Sequence, residues 1–338
     1  MTPPLIAPHL ALYREVCQDQ GWTFELLDRH CGQLARISVG DRSFAVAGGR
    51  ACVYPINAAS AADLARDKAH ALTLLRAAGI AVPRTELVFL RPAYRAERGP
   101  GHELDDAPRL AAGLDYPLIV KPNDGARGHL VAEVADAAAL TRQLARIAPH
   151  SPIAQLQEPL TGEEWRLFVL DGRVRFAYRR TPPRLLGDGR QTLGQLLAAY
   201  NSALAARALS PLAADTPSVL RSLAAAGLSQ QTVLAEGDSL ALPGRRNLAA
   251  GGGIADYTES ITAAVEAWAA RAAAALGLRV AGLDLFAPDL AGPAGFTALE
   301  LNANPSLLGI ARAGHQETAL AILAAVCRAT VASHCALF

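Results

Sequence analysis

Apolar and polar positions follow two periods along this chain, one near 3.6 and one of two, and they alternate as an α/β (α+β) protein requires. Helical spacing over Ala7 to Gln18 is followed by a short strand at Thr23 to Leu27. Gln33 to Val39 and Arg42 to Ala47 then alternate on either side of Gly40-Asp41, which predicts a β-hairpin. Ala58 to Ala78 reads as one long amphipathic helix, closed by Gly79 with Pro83 beyond it, and Lys68 sits in its middle. Arg91 to Pro108 reads as a loop rich in Pro, Gly and charge.

The second half begins with a strand at Pro117 to Val120, which runs into Lys-Pro-Asn-Asp-Gly-Ala-Arg-Gly at 121 to 128, and a helix over Ala135 to Ile147. Strands are predicted at Ile153 to Gln157, Trp165 to Leu170 and Arg173 to Arg179, the last two joined by an Asp171-Gly172 turn. An Ala/Leu-rich helical insertion with two helical segments fills 190 to 235. A helix over Glu259 to Leu276, strands at Val280 to Phe286 and Thr297 to Leu301, and a helix over roughly Thr318 to Ser333 complete the pattern.

Composition removes several function classes. Lys+Arg 32 against Asp+Glu 31 leaves a net charge of +1, so no basic field is available for gripping nucleic acid. Met1 to Leu12 lacks a basic and apolar leader pattern, and no stretch is apolar enough to span a bilayer, so the expected location is cytoplasmic, without membrane. The five cysteines include no CxxC pair and suggest neither a disulfide framework nor zinc. Only two of the 32 basic residues are lysines, Lys68 and Lys121. A lysine offers a compact point charge that a planar guanidinium cannot reproduce, which marks both positions as candidates for a phosphate site.

Four sets of residues can carry chemistry. Glu300 and Asn302 alternate onto one strand face, and Asp284 is the one acid in an apolar strand; three such oxygen donors suit Mg2+. The strand that ends in Lys121 enters a loop containing Gly125 and Gly128, which can present backbone amides and an ammonium to an anion, although it is not a Walker A sequence. Gln155 to Arg166 leaves a strand at Pro159 and re-enters after Gly162; its bend could read an adenine edge, with Glu164 on the ribose hydroxyls. The arginines Arg179, Arg180, Arg184, Arg245 and Arg246 could clamp carboxylates or phosphates.

Taken in order, these pieces resemble the ATP-grasp superfamily, and within it the branch of cyanophycin synthetase and the ATP-grasp half of bifunctional glutathione synthetases. The resemblance covers roughly Ala58 to Pro305: the Asp67-Lys68 helix ending at Pro83, Ile-Val-Lys-Pro122, Leu-Thr-Gly-Glu-Glu-Trp-Arg166, Leu-Gly-Asp-Gly-Arg190, Asn-Leu-Ala-Ala-Gly-Gly252, Ala-Gly-Leu-Asp284 and Glu-Leu-Asn-Ala-Asn-Pro305. It implies an ATP-grasp fold with an abbreviated N-terminal domain at 1–57, a linking helix and loop at 58–115, a small lid at 116–162 and a larger C-terminal catalytic subdomain at 163–338 carrying the insertion at 190–235, with ATP between the last two. Lys68 and Lys121 take the places of two ATP-phosphate lysines, Glu164 that of the ribose acid, and Leu160 that of the adenine-contacting hinge residue. Asp284, Glu300 and Asn302 take those of the magnesium ligands. Arg166, Arg180 and the Arg245-Arg246-Asn247 group lie where related enzymes hold the acyl substrate and its phosphate.

Some positions depart from the branch. Gln157-Glu158 stands where Glu-Lys is usual, and Pro243 stands where an arginine is expected four residues before Asn247, so that Arg245 or Arg246 would substitute from a shifted position. The loop after Lys121 is poorer in glycine, with His129-Leu130. The flanking domains of cyanophycin synthetase are not matched, which favours single addition over polymerisation. The function implied is an ADP-forming carboxylate-amine ligase using ATP and Mg2+, or Mn2+ in its place, on amino-acid or small-peptide substrates, with a homodimer compatible. A phosphotransferase and a nucleotide-binding module without turnover are the alternatives, and the complete Asp284, Glu300, Asn302 set argues against the module.

Overall fold

The computed structural model describes residues 6–48, 54–92, 98–125, 128–206, 211–212, 214, 217–242, 246, 248 and 252–333. In chain order the elements are α1 (Pro8–Gln20), β1 (Thr23–Leu26), β2 (Leu34–Val39), β3 (Arg42–Ala47), α2 (Ala59–Arg66), α3 (Lys68–Ala77), β4 (Thr85–Phe89), α4 (Ala107–Ala112), β5 (Leu118–Pro122), β6 (Ala132–Val134), α5 (Ala137–Ile147) and β7 (Ile153–Gln157). They continue with β8 (Glu163–Leu170), β9 (Arg173–Thr181), β10 (Arg184–Leu186), α6 (Leu193–Ala205), α7 (Pro217–Ala225), β11 (Ser239–Ala241), β12 (Gly253–Thr258), α8 (Ala263–Ala275), β13 (Val280–Ala287), β14 (Thr297–Asn302), α9 (Leu307–Arg312) and α10 (Gln316–Ser333). None of the described helices is long and apolar enough to cross a membrane.

The chain divides into two compact units, one made of Met1–Val82, Trp165–Tyr178 and Asp256–Phe338, the other of Pro83–Glu164 and Arg179–Ala255. The first holds most of a five-stranded sheet of order β12-β9-β8-β13-β14. Leu167, Val169, Leu283 and Leu285 alternate onto one face of this sheet and join Ala61, Leu72, Leu75, Val265, Trp268 and Ala272 from α2, α3 and α8 in one core. Trp268 stands edge-on to Phe296 there, with ring centroids 5.1 Å apart. Because strand side chains alternate, Arg166, Phe168 and Asp284 face the other side.

The hairpin expected around Gly40-Asp41 is present, with Val39 paired to Arg42, and β1 completes a three-stranded antiparallel sheet. α10 packs on β2, β3, α1 and α9. Cys17 and Cys327 are buried, and burial pushes their thiols up to about 11 and about 12. Asn57 ties the start of this unit to its sheet: its carbonyl accepts from the amides of Arg279 and Val280, and its amide donates to the carbonyls of Val280 and Ala303.

Ala58 to Ala78 is two helices rather than the single one the periodicity suggests. Asp67 is extended (φ −82, ψ 104), ends α2, and caps α3 by accepting from the His70 amide at 3.0 Å. A short acid that satisfies an orphan N–H makes a helix start as favourable as continuation. Lys68 therefore opens α3 instead of lying mid-helix.

The second unit holds an antiparallel sheet of order β4-β7-β5-β6. Val88, Leu118, Val120, Ala154 and Leu156 turn one face toward α4 and α5. The stretch expected to be loop from Arg91 to Pro108 contains a 3-10 turn at Leu104–Asp106 and the start of α4. The insertion is helical as expected, with Thr192 and Gln195 forming a reciprocal cap on α6, and the β10-β11 pair flanks it on either side. The helices and the flanking pair share a core of Leu185, Leu193, Leu197, Val219, Leu223, Leu234 and Leu242.

Candidate active site

In the first unit the antiparallel register of β13 and β14 sets Asp284 directly opposite Glu300, and Gly282 opposite Asn302. Directly opposed residues share a face, so the two carboxylates and the Asn302 amide form one oxygen-rich row. Lys68, at the first turn of α3, reaches this row with Nζ 3.8 Å from Glu300 Oε1. From β8, Arg166 donates to both Asp284 oxygens, through Nε and, at 2.6 Å, through Nη2. The Arg166 and Asp284 side chains are 9% and 6% exposed, so this is a buried bidentate pair.

Gly282 makes the pair sterically feasible. A Cβ on it would lie 2.5 Å from Arg166 Nη1 and 2.6 Å from the Pro305 Cβ. The absence of a side chain is what lets the guanidinium lie across the strand. The row suits a hard divalent cation in donor chemistry, with two carboxylates and an amide oxygen. No group of three or more His, Cys, Asp or Glu with metal-holding geometry occurs among the described residues, so a cation here would depend on Asn302 as well as the two acids.

In the second unit, Lys121 on β5 is paired in register with Gln155 on β7. Lys121 is 7% exposed and donates to Gln157 Oε1 at 3.0 Å. Gln157 in turn donates to Thr85 Oγ1 at 3.0 Å, and Gln155 to Asn123 Oδ1 at 3.0 Å. One face of this sheet is therefore apolar and the other is a buried row of amides around one ammonium.

Just past that row, Gly125 has φ +132 and Gly128 φ +69, backbone conformations that a side chain strains. At the other end of β7, Glu158 fixes the entry to the bend: its carboxylate accepts from the Arg84 amide at 2.7 Å, and its own amide donates to the Arg84 carbonyl. Leu160 is half-buried within the bend. Glu164 and Arg180 pair at 2.7 Å with side chains 12% and 9% exposed, so the expected ribose acid and one expected acyl-binding arginine are brought together. Arg166 is brought onto Asp284 instead. Arg246 is half-buried, and Arg245 and Asn247 lie outside the described residues.

Four contributors were not singled out in the sequence, although three of them, Asn123, Gln155 and Gly282, lie within the motifs quoted above. Thr85, Asn123 and Gln155 complete the polar row, and Gly282 opens the space for Arg166. Asn123 and Gln155 had a readable signal, since each stands two residues from a candidate on the same strand or its extension and so shares its face. Gly282 had only its place two residues before Asp284, and Thr85 had none.

This mixed α/β arrangement, with its antiparallel sheets, is the ATP-grasp fold. The structure of a bifunctional glutathione synthetase from Pasteurella multocida matches it with a TM-score of 0.52 and 22% identity, covering 89% of this chain and 40% of that one. In sequence the chain is homologous to proteins named cyanophycin synthetase and bifunctional glutathione synthetase. It is 34% identical over 161 residues to the glutathione biosynthesis bifunctional protein GshAB of Streptococcus mutans, covering 45% of this chain and 21% of that protein. It is 29% identical over 243 residues to cyanophycin synthetase of Trichormus variabilis, covering 68% and 25%. The chain thus spans a quarter or less of the length of these two relatives. No protein-family profile matches it.

Proposed function

We propose that the chain is an ATP-dependent carboxylate-amine ligase that forms an amide through an acyl phosphate, releasing ADP and phosphate, from amino-acid or small-peptide substrates in the cytoplasm. The observation that carries this reading is the charged row in the first unit, where half-buried Lys68 meets half-buried Glu300 and buried Arg166 meets buried Asp284. Charged side chains gathered and partly withdrawn from water in this way are costly to desolvate and are characteristic of sites that act on a charged ligand.

In this reading Lys121 and the backbone at Gly125 and Gly128 bind nucleotide phosphates, Gln157 and Leu160 line the base, and Glu164, oriented by Arg180, takes the ribose hydroxyls. Lys68 stabilises charge developing on the transferred phosphoryl group. An oxygen of the substrate carboxylate bonds to the γ-phosphorus as the bond to ADP breaks. The amine nitrogen then bonds to the acyl carbon, phosphate leaves, and the nitrogen loses a proton. Asp284, Glu300 and Asn302 would hold Mg2+ or Mn2+, which when bound supplies positive charge to the phosphate oxygens. Arg246, with Arg245 and Asn247, would hold the acyl group.

Hydroxylamine tests this reading because it captures acyl phosphates without needing an amine pocket. Screening amino acids and dipeptides with ATP, Mg2+ and hydroxylamine should give ADP and a hydroxamate with at least one acid. ADP with a stable phosphoester would indicate a phosphotransferase, and no nucleotide turnover across the screen would indicate a binding module.

A further inference from the structure

Among the described residues, the row in the first unit sets two carboxylates, Asp284 and Glu300, against two cations, Arg166 and Lys68. Arg166 holds both oxygens of Asp284, and the lack of a side chain at position 282 leaves room for its guanidinium there. A divalent cation approaching this row alone would meet carboxylates already neutralised, with a guanidinium seated on one of them. Coulomb energies in a protein interior are large enough for one fixed charge to change cation affinity by tenfold or more.

We infer that Arg166, admitted by Gly282, is a positioning residue that acts as a charge lock on Asp284, so that the row does not take up a free divalent cation and accepts one only together with the nucleotide's phosphates. The inference rests on the ligase reading for the nucleotide, but the lock itself concerns the nucleotide-free protein. The phosphates bring the negative charge that Lys68 and Arg166 can face once a cation sits on the carboxylates. Lys68 at 3.8 Å is a looser partner than the bidentate arginine, so the lock resides chiefly in Arg166.

Mn2+ binding by electron paramagnetic resonance, without turnover, tests this directly. Nucleotide-free wild type should bind Mn2+ weakly. Arg166→Gln should bind it about tenfold or more tightly, and Arg166→Gln combined with Asp284→Asn should return to the wild-type level. Gly282→Ala, which crowds the guanidinium without removing it, should shift affinity in the same direction as Arg166→Gln, by less. Circular dichroism of each variant establishes that it is folded. Tight Mn2+ binding by nucleotide-free wild type, or a folded Arg166→Gln and Gly282→Ala with unchanged affinity, would overturn the lock. Adding a non-hydrolysable ATP analogue to wild type separates the two claims, because Mn2+ affinity unaffected by the analogue would count against the nucleotide reading and leave the lock as measured.

Discussion

The chain's two lysines are withdrawn from solvent by opposite means. Lys68 in the first unit stands against a carboxylate, Glu300, within a row that also holds the Arg166–Asp284 pair. Lys121 in the second unit donates to a neutral amide, Gln157, in a row otherwise built from Thr85, Asn123 and Gln155. Charge met by charge gives a row that is costly to break on one side only, because removing one partner strands the other. An amide acceptor satisfies an ammonium without cancelling its charge, and at a smaller cost in desolvation than a carboxylate. The first arrangement suits a place where charge must be redistributed during a reaction, the second a place that grips an anion throughout.

The sharpest way to break this contrast is to orphan one member of the charged row. Arg166→Met should destabilise the protein by about 3–5 kcal/mol, while Arg166→Met combined with Asp284→Leu should recover most of that loss. Urea unfolding of wild type, both single variants and the double variant gives the coupling; an additive cycle would contradict a tightly coupled pair.

Exchanging the lysines' shape at constant charge sharpens the contrast next. Lys121→Arg and Lys68→Arg should each lower ATP turnover by roughly 100-fold, since a planar guanidinium cannot replace a point charge in a close-packed site. Steady-state ADP release measures it, and wild-type rates in either variant would contradict a lysine-specific role. On the amide side, Gln157→Leu removes the acceptor from Lys121 and the donor to Thr85. It should cost about 1–3 kcal/mol, read as a lower urea midpoint with an unchanged slope.

The smallest expected effect lies away from both rows. Cys17 and Cys327 have thiols raised by burial from the usual 9.0 to about 11 and about 12. Below about pH 9 these thiols are protonated whether the chain is folded or not, and they cost nothing. As pH rises through the window from 9 to about 12, the unfolded thiols ionise first, so stability falls. Cys17→Ala and Cys327→Ala should each flatten the alkaline decline seen by thermal melting between pH 8.5 and 10.5, values chosen as roughly spanning that onset.

Much of the fold was legible because the sheet elements follow their two-residue period. The hairpin at 33–47, the strand Ile153–Gln157 and the β13–β14 pair come directly from alternation. The same alternation anticipated that Glu300 and Asn302 share a face. Strands of three residues, such as β6, β10 and β11, and a helix of under two turns, such as α9, carry too few positions to show a period. The break at Asp67 escaped because neither proline nor glycine marks it, only a capping acid that also fits an exposed helix face.

The pairings within the rows were beyond sequence reading. Arg166 and Asp284 lie 118 positions apart, and Lys121 and Gln157 lie 36 apart, so only tertiary structure could join them. Gln157, a departure from its branch when read as a motif, becomes intelligible as the acceptor that holds Lys121.

The central claim is that a carboxylate oxygen bonds to the γ-phosphorus of ATP, and oxygen transfer tests it most directly. With the acid that the hydroxamate screen identifies, labelled with 18O in its carboxylate, each turnover with an amine should place one labelled oxygen in the released phosphate and none in ADP, read by mass spectrometry. Unlabelled phosphate, or label recovered in AMP, would contradict the acyl-phosphate route.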